Sequence, residues 1–182
     1  IYKLWNNNNY LEMLNKYPIL KMFYNELDVH CNKADLLRLI ILYELGGIYI
    51  YIDSVWINNK SLDELIIESK HTGLFVGRSP DECYNSKYYL TNGVIGVSKG
   101  HPLILECIKI IENYIFNRQT NEYDSKLIKK KSLATSKIIG PGLITRVMKN
   151  KHITICPSEY FYPITWHGIN ISTIDYKLYP NS

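Results

Sequence analysis

No stretch of the 182 residues reaches the roughly 18 apolar side chains that a membrane-crossing helix requires. The longest apolar runs, such as Leu39 to Leu42 and Ile48 to Ile52, are broken by polar or charged residues within a few positions. No secretory leader is visible at the N-terminus. The chain opens on Ile1 rather than Met, so a piece of a longer chain is expected. Cysteine is sparse: Cys31, Cys83, Cys107 and Cys156 lie far apart, with no Cys-x-x-Cys pair. That spacing argues against a zinc site, and a chain of this length does not require disulfides, so reduced and mostly buried thiols are expected. A strong excess of one charge is missing too. Lys and Arg number 21 against 17 Asp and Glu, a net charge of +4, mild but favourable to an anionic ligand. The densest basic run, Lys126 with Lys129 to Lys131, lacks the interleaved aromatics of a single-strand groove, so no nucleic-acid partner is expected. Internal repeats and domain boundaries are absent as well.

What is present is an ordinary globular balance, 46% hydrophobic and 21% charged, enough for one domain with a continuous core. Residues 10 to 26 read as two short helices joined at Tyr17-Pro18, because proline ends or kinks the helix before it. From Lys33 to Leu45, the spacing of Leu36, Leu37, Ile40 and Ile41 predicts a helix, with Asn32 capping its start and Gly46 its end. Gly46-Gly47 turns this helix directly into a strand, residues 48 to 53, and helix, glycine turn and strand make an α/β unit. The strand is expected at the centre of the sheet. Alternation puts Ile48, Ile50 and Ile52 on a face packed against helices. Tyr49, Tyr51 and Asp53 fall on the other face, toward a cleft or a neighbouring layer. Further strands are predicted at 73–77, 92–97 and, at an edge, 153–156. A helix is predicted from Pro102 to about Phe116, a long loop or ragged helix over 117–136, and a helix from the Gly140-Pro141-Gly142 turn through Lys149.

The polar residues of the α/β unit are candidates for chemistry. Asp35 and Arg38, three apart, share one helical face: either an intrahelical ion pair worth a few tenths of a kcal/mol, or an acid and a guanidinium that hold a polar ligand. Asp53 closes the strand at its carboxyl end, the edge of an open α/β sheet where ligands bind. On its own it reads as a strand-end turn former or a ligand contact. Asn92, just before Gly93, reads as a turn former or a ligand contact. No nucleophile with a His or Ser partner appears.

These residues carry a resemblance. "KADLLRLIILYELGGIYIYID" resembles the sugar-binding region of DXD glycosyltransferases, whose pattern is a small residue, Asp, two apolar residues and Arg, then Gly-Gly-[IV]-Tyr and Asp-x-Asp. "YKLWNNNN", "LTNGVIGVSKGHPLILECI", "IIGPGLITRVM" and "YFYPITW" resemble further segments of the family in the same order along nearly the whole chain. Asp53 matches the second acid of Asp-x-Asp, and Tyr51 stands in the place of the first. Against a related group of capsular polysaccharide synthesis proteins with a single Asp, Asp53-Ser54-Val55 aligns with two residues inserted, which keeps Asp53 on the same face. The family's first strand and its C-terminal tail have no counterpart within residues 1–182.

The resemblance implies one α/β domain over residues 1–182, of the GT-A, Rossmann-like, nucleotide-sugar-binding type, from a longer chain. It implies retaining transfer of a hexose from a UDP- or GDP-hexose donor to a glycan, lipid or protein acceptor, in glycan biosynthesis. Asp35, Arg38, Tyr51 and Asn92 would contact the donor sugar, and Asp53 would be the catalytic residue and the ligand of Mn²⁺ or Mg²⁺. A cytoplasmic, Golgi-lumenal or viral setting is compatible with it. The alternative is a non-catalytic nucleotide-sugar- or glycan-binding relative that lost the first acid to Tyr51.

Overall fold

The computed structural model describes residues 3–6, 9–51, 61–80, 89–119 and 137–162. Asp53, Cys83, His167, the basic run at 126–131, most of the 117–136 segment and the end of the aromatic tail lie outside these residues.

The architecture is mixed α/β around a central sheet, as expected. In chain order the elements are α1 (Tyr10–Asn15), α2 (Pro18–Glu26), α3 (His30–Leu45), β1 (Gly47–Ile50), α4 (Leu62–Glu68) and β2 (Leu74–Arg78). They continue with β3 (Leu90–Val97), α5 (Pro102–Gln119), α6 (Pro141–Met148), β4 (Thr154–Cys156) and α7 (Ser158–Phe161). Pro18 stands at the start of α2 and Pro141 at the start of α6, where a missing N–H costs nothing. Ser61 starts α4 through a capping box with Glu64, each side chain bonding the other's backbone N–H.

The sheet order is β1-β3-β2-β4, with β3 antiparallel to both β1 and β2, and β2 parallel to β4. The strand of the Gly-Gly motif is therefore at an edge among the described residues, and β3 holds the central position beside it. The sequence explains the exchange: β3 is buried at seven of its eight residues, whereas Ile50 on β1 is exposed. A strand buried on both faces belongs inside a sheet. β4 lies at the opposite edge, as its short length suggests.

The large core lies on one face of the sheet. Leu36, Leu39 and Ile40 of α3, Leu20 and Phe23 of α2, Ile104 and Ile108 of α5, and Leu143 and Val147 of α6 pack there on Leu74, Val76, Ile95 and Val97. A smaller cluster, Leu65, Phe75, Val94 and Cys156, lies on the other face beneath α4 and α7. Tyr49 packs toward the large helical layer and Ile48 toward the small one, so the neighbouring layer faced by the tyrosines is α3.

Two details of α3 and β3 position the site. α3 begins at His30, with Val29 at its N-cap and no side-chain cap; Asn32 lies inside the helix and is buried rather than capping it. At the other end Gly46 caps the helix at φ 68°, as expected, a conformation that glycine adopts without a Cβ penalty. β3 carries an irregularity. Val76 and Arg78 of β2, two apart, pair with Ile95 and Leu90, five apart. Ile95 and Val97 face the large core, and so does Leu90, while Val94 faces the small one. The alternation thus changes phase near Gly93, which is the signature of a β-bulge.

Candidate functional site

Antiparallel pairing brings the end of β1 beside the start of β3, with the N-terminal half of α3 lying across them. Asp35 and Arg38, one turn apart on α3, form an ion pair of 3.0 Å. The amide nitrogen of Asn92 donates to the same Asp35 oxygen, Oδ1, at 2.8 Å. The hydroxyl of Tyr51 donates to Asn92 Oδ1 at 3.1 Å, and Arg38 Nη2 donates to the hydroxyl of Tyr49 at 3.3 Å. The guanidinium carbon also stands 4.1 Å from the Tyr49 ring centre and 5.1 Å from that of Tyr51. A planar cation against aromatic faces in this range is attracted by the ring quadrupoles.

Asp35, Arg38, Tyr51 and Asn92 are thus brought together as one connected network. Asp53 lies outside the described residues. Asn92 is a buried strand residue and not a turn former, since the bulge turns it onto the α3 face.

The electrostatics are those of a buried pair. Arg38 is 2% exposed, and its Nε and Nη1 are buried with no hydrogen-bond partner among the described residues. Burial pushes the Asp35 carboxyl above its ordinary value, against the opposing pull of Arg38 and Asn92. Burial alone would lower the Arg38 guanidinium, but Asp35 and the two tyrosines hold it above its usual range, so it stays charged. Burial also raises the Tyr51 phenol, so it remains a neutral donor near neutral pH.

Sequence reasoning gave Tyr49 no role beyond its strand face and overlooked Tyr162 and Thr91. The Tyr162 hydroxyl lies 2.6 Å from Thr91 Oγ1, and burial pushes the phenol up to about 12. A Cβ on Gly93 would stand 2.6 Å from that hydroxyl and 2.8 Å from the Tyr51 ring, so any larger residue there requires a tyrosine side chain to shift. The available signal was Gly93 itself, since a glycine inside a strand marks a bulge or a close approach.

The described residues alone do not form a metal cage. Among them no three His, Cys, Asp or Glu side chains are grouped to hold a cation. Asp35, the carboxylate of this network, is already engaged by Arg38 and Asn92. Nor is any helix among the described residues long and apolar enough to cross a membrane.

Residues 2–72 match the family model described as "Glycosyltransferase sugar-binding region containing DXD motif". That span includes Asp35, Arg38, Tyr49 and Tyr51. Inositol phosphoceramide mannosyltransferase 3 of Schizosaccharomyces pombe is 31% identical over 64% of this chain and 30% of its own length. Initiation-specific alpha-1,6-mannosyltransferase of Candida albicans is 26% identical over 92% of this chain and 46% of its own. The chain therefore spans less than half the length of these curated relatives. A solved structure, the PaToxG glycosyltransferase, matches 78% of this chain and 43% of its own at 21% identity, with a TM-score of 0.49.

Proposed function

Taking residues 2–72 as a DXD-type glycosyltransferase sugar-binding region, we propose that the chain carries the donor site of a GT-A-type retaining hexosyltransferase that uses a nucleotide-sugar. The observation that carries this is the Asp35–Arg38 pair, bridged to Asn92 and set between two tyrosine rings beside the carboxyl end of β1. A buried ion pair is a poor device for stability, because desolvation offsets most of its Coulomb energy. As a device for holding hydroxyls it is well suited: the carboxylate accepts, the guanidinium donates, and aromatic faces cover the apolar side of a sugar ring. Asp35, Arg38 and Asn92 are the proposed sugar contacts.

The proposed donor is a UDP- or GDP-hexose. The names of the two relatives put mannose first among the sugars to test. The acceptor class, a glycan, lipid or protein, is part of the same proposal. Mn²⁺ or Mg²⁺ is the proposed cofactor, with Asp53 as its protein ligand. Such a cation would neutralise charge on the departing diphosphate, and diphosphate and water oxygens would complete its shell. The protein's own part is to orient the donor and the acceptor, which alone lowers a bimolecular barrier by several kcal/mol.

Calorimetric titration of the chain with GDP-mannose and UDP-glucose, in Mn²⁺ and then in EDTA, tests this reading. At a hundred times its Kd a donor should add about 2.7 kcal/mol of stability, visible as a raised melting temperature. EDTA and Asp53→Asn should each weaken binding at least tenfold. No binding of either donor under any condition would sink the proposal, and binding indifferent to EDTA would remove the cation from it.

A second reading is favoured by Tyr51, which stands where the family has an acid and bonds Asn92. On that reading the site binds a nucleotide-sugar and transfers nothing. Donor binding without detectable hydrolysis or transfer, in the longest chain that contains these residues, would select it.

A further inference from the structure

We propose that Tyr51 is a specificity-determining gate over the sugar subsite, and that its side chain must turn away before a sugar reaches Arg38. This inference rests on the donor-site reading above and concerns the same network.

The argument begins with what Tyr51 occupies. Its hydroxyl donates to Asn92 Oδ1, the acceptor that a sugar hydroxyl would use. Its ring centre stands 5.1 Å from the Arg38 guanidinium carbon. Arg38 Nε and Nη1 have no accessible surface and no hydrogen-bond partner among the described residues. Buried donors left unpaired are costly, and more so when charged. The covered arrangement is therefore poorly satisfied, and a ligand that supplies oxygens to Nε and Nη1 gains what Tyr51 withholds.

Of the two rings beside Arg38, Tyr51 is the more exposed, though its backbone N–H is held by Gly93 O at 3.1 Å. Tyr49 lies on β1, paired with Ile95, packed against the large core and bonded to Arg38. Tyr51 follows the last strand residue, is 37% exposed, and touches Tyr49 only edge-on, ring centres 5.9 Å apart. On this proposal, rotation about the Tyr51 side-chain torsions breaks its bond to Asn92 Oδ1 and moves its ring away from the guanidinium, while the Asp35–Arg38 pair stays in place.

A gate of this kind lowers apparent affinity by the fraction of time it is open. It acts on the sugar and not on the nucleotide, which does not require Arg38. The test compares GDP-mannose with GDP, and UDP-glucose with UDP, by calorimetry in Mn²⁺, on the wild-type chain, Tyr51→Phe and Tyr51→Ala. If Tyr51 covers Arg38 for nine-tenths of the time, Tyr51→Ala should bind the sugar donors about tenfold more tightly. GDP and UDP affinities should stay unchanged. Tyr51→Phe, which keeps the ring but frees Asn92, should fall between. Circular dichroism and melting of each variant confirm folding, and the exposure of Tyr51 makes loss of the fold unexpected. Unchanged or weaker sugar-donor binding by folded Tyr51→Ala, with the wild type still binding, overturns the gate and leaves the donor site standing. Failure of all three chains to bind any of the four ligands overturns the donor site and the gate with it.

Discussion

Asp35→Ala is expected to destabilise the fold by about 3–5 kcal/mol, the cost of stranding one partner of a buried ion pair. Arg38 is 2% exposed and takes its charge compensation from Asp35 at 3.0 Å. The Tyr49 hydroxyl at 3.3 Å and the two ring faces cannot neutralise a full positive charge. For a domain of this size the change corresponds to a melting temperature lower by roughly 6–20 °C. Asp35→Leu combined with Arg38→Met should recover most of the loss, because replacing both ions with apolar groups of similar volume is often neutral or better. Donor binding should be abolished in both proteins. Thermal melts and calorimetry on the pair separate the two roles. If the double variant melts as low as the single one, the ion pair is a structural necessity and the case for its functional use weakens.

Gly46→Ala should lower stability by about 3 kcal/mol or more, and Gly47→Ala by clearly less. Both glycines have positive φ, 68° and 101°. A side chain in such a conformation costs on the order of 1–3 kcal/mol by itself. The surroundings separate them. A Cβ on Gly46 would stand 2.6 Å from Lys99 N and 3.0 Å from Val97 O, backbone atoms that cannot rotate away. A Cβ on Gly47 meets nothing within 4 Å. Relief at Gly46 must shift the turn after β3 or the end of α3, and with them the spacing between Arg38 and Tyr49. Gly46→Ala should therefore also weaken donor binding at temperatures where it stays folded, whereas Gly47→Ala should not. Equal melting temperatures for the two variants would show that the junction yields more easily than this geometry implies.

Much of this site was legible because its grammar is local. Asp35 and Arg38 had to share a helical face, and two glycines left little freedom in how that helix enters β1. The face that carries Tyr49 and Tyr51 followed from alternation alone. What failed to follow depended on partners distant in sequence. The place of β1 at an edge is decided by the burial of β3, some 45 residues on. The early start of α3 at His30 has no capping side chain to announce it. Asn92 read equally well as a turn former, since a single alternating phase drawn back from Ile95 and Val97 sends it to the face away from α3. Tyr162 carries no local mark at all: its role appears only when it meets Tyr51 above Gly93.

The phase change at Gly93 also divides β3 by how firmly it is held. Val94 to Val97 is laddered to β1 through Gly47 to Ile50, and Ile95 to Val97 also to β2 through Leu74 to Val76. The stretch from Leu90 to Asn92 keeps one ladder pair, Leu90 with Arg78, and otherwise relies on scattered contacts: Thr145 on the Leu90 backbone, Thr91 on the Gly77 carbonyl, Asp35 on Asn92. Sub-global opening begins where ladder bonds are few. Amide protons of the inner half should report the global unfolding of the domain, while those of the outer half should exchange through smaller excursions that leave the sheet intact. Asn92, one of the residues that would grip a ligand, thus sits on the more pliable half of a strand whose other half secures the fold, and one glycine lies between them.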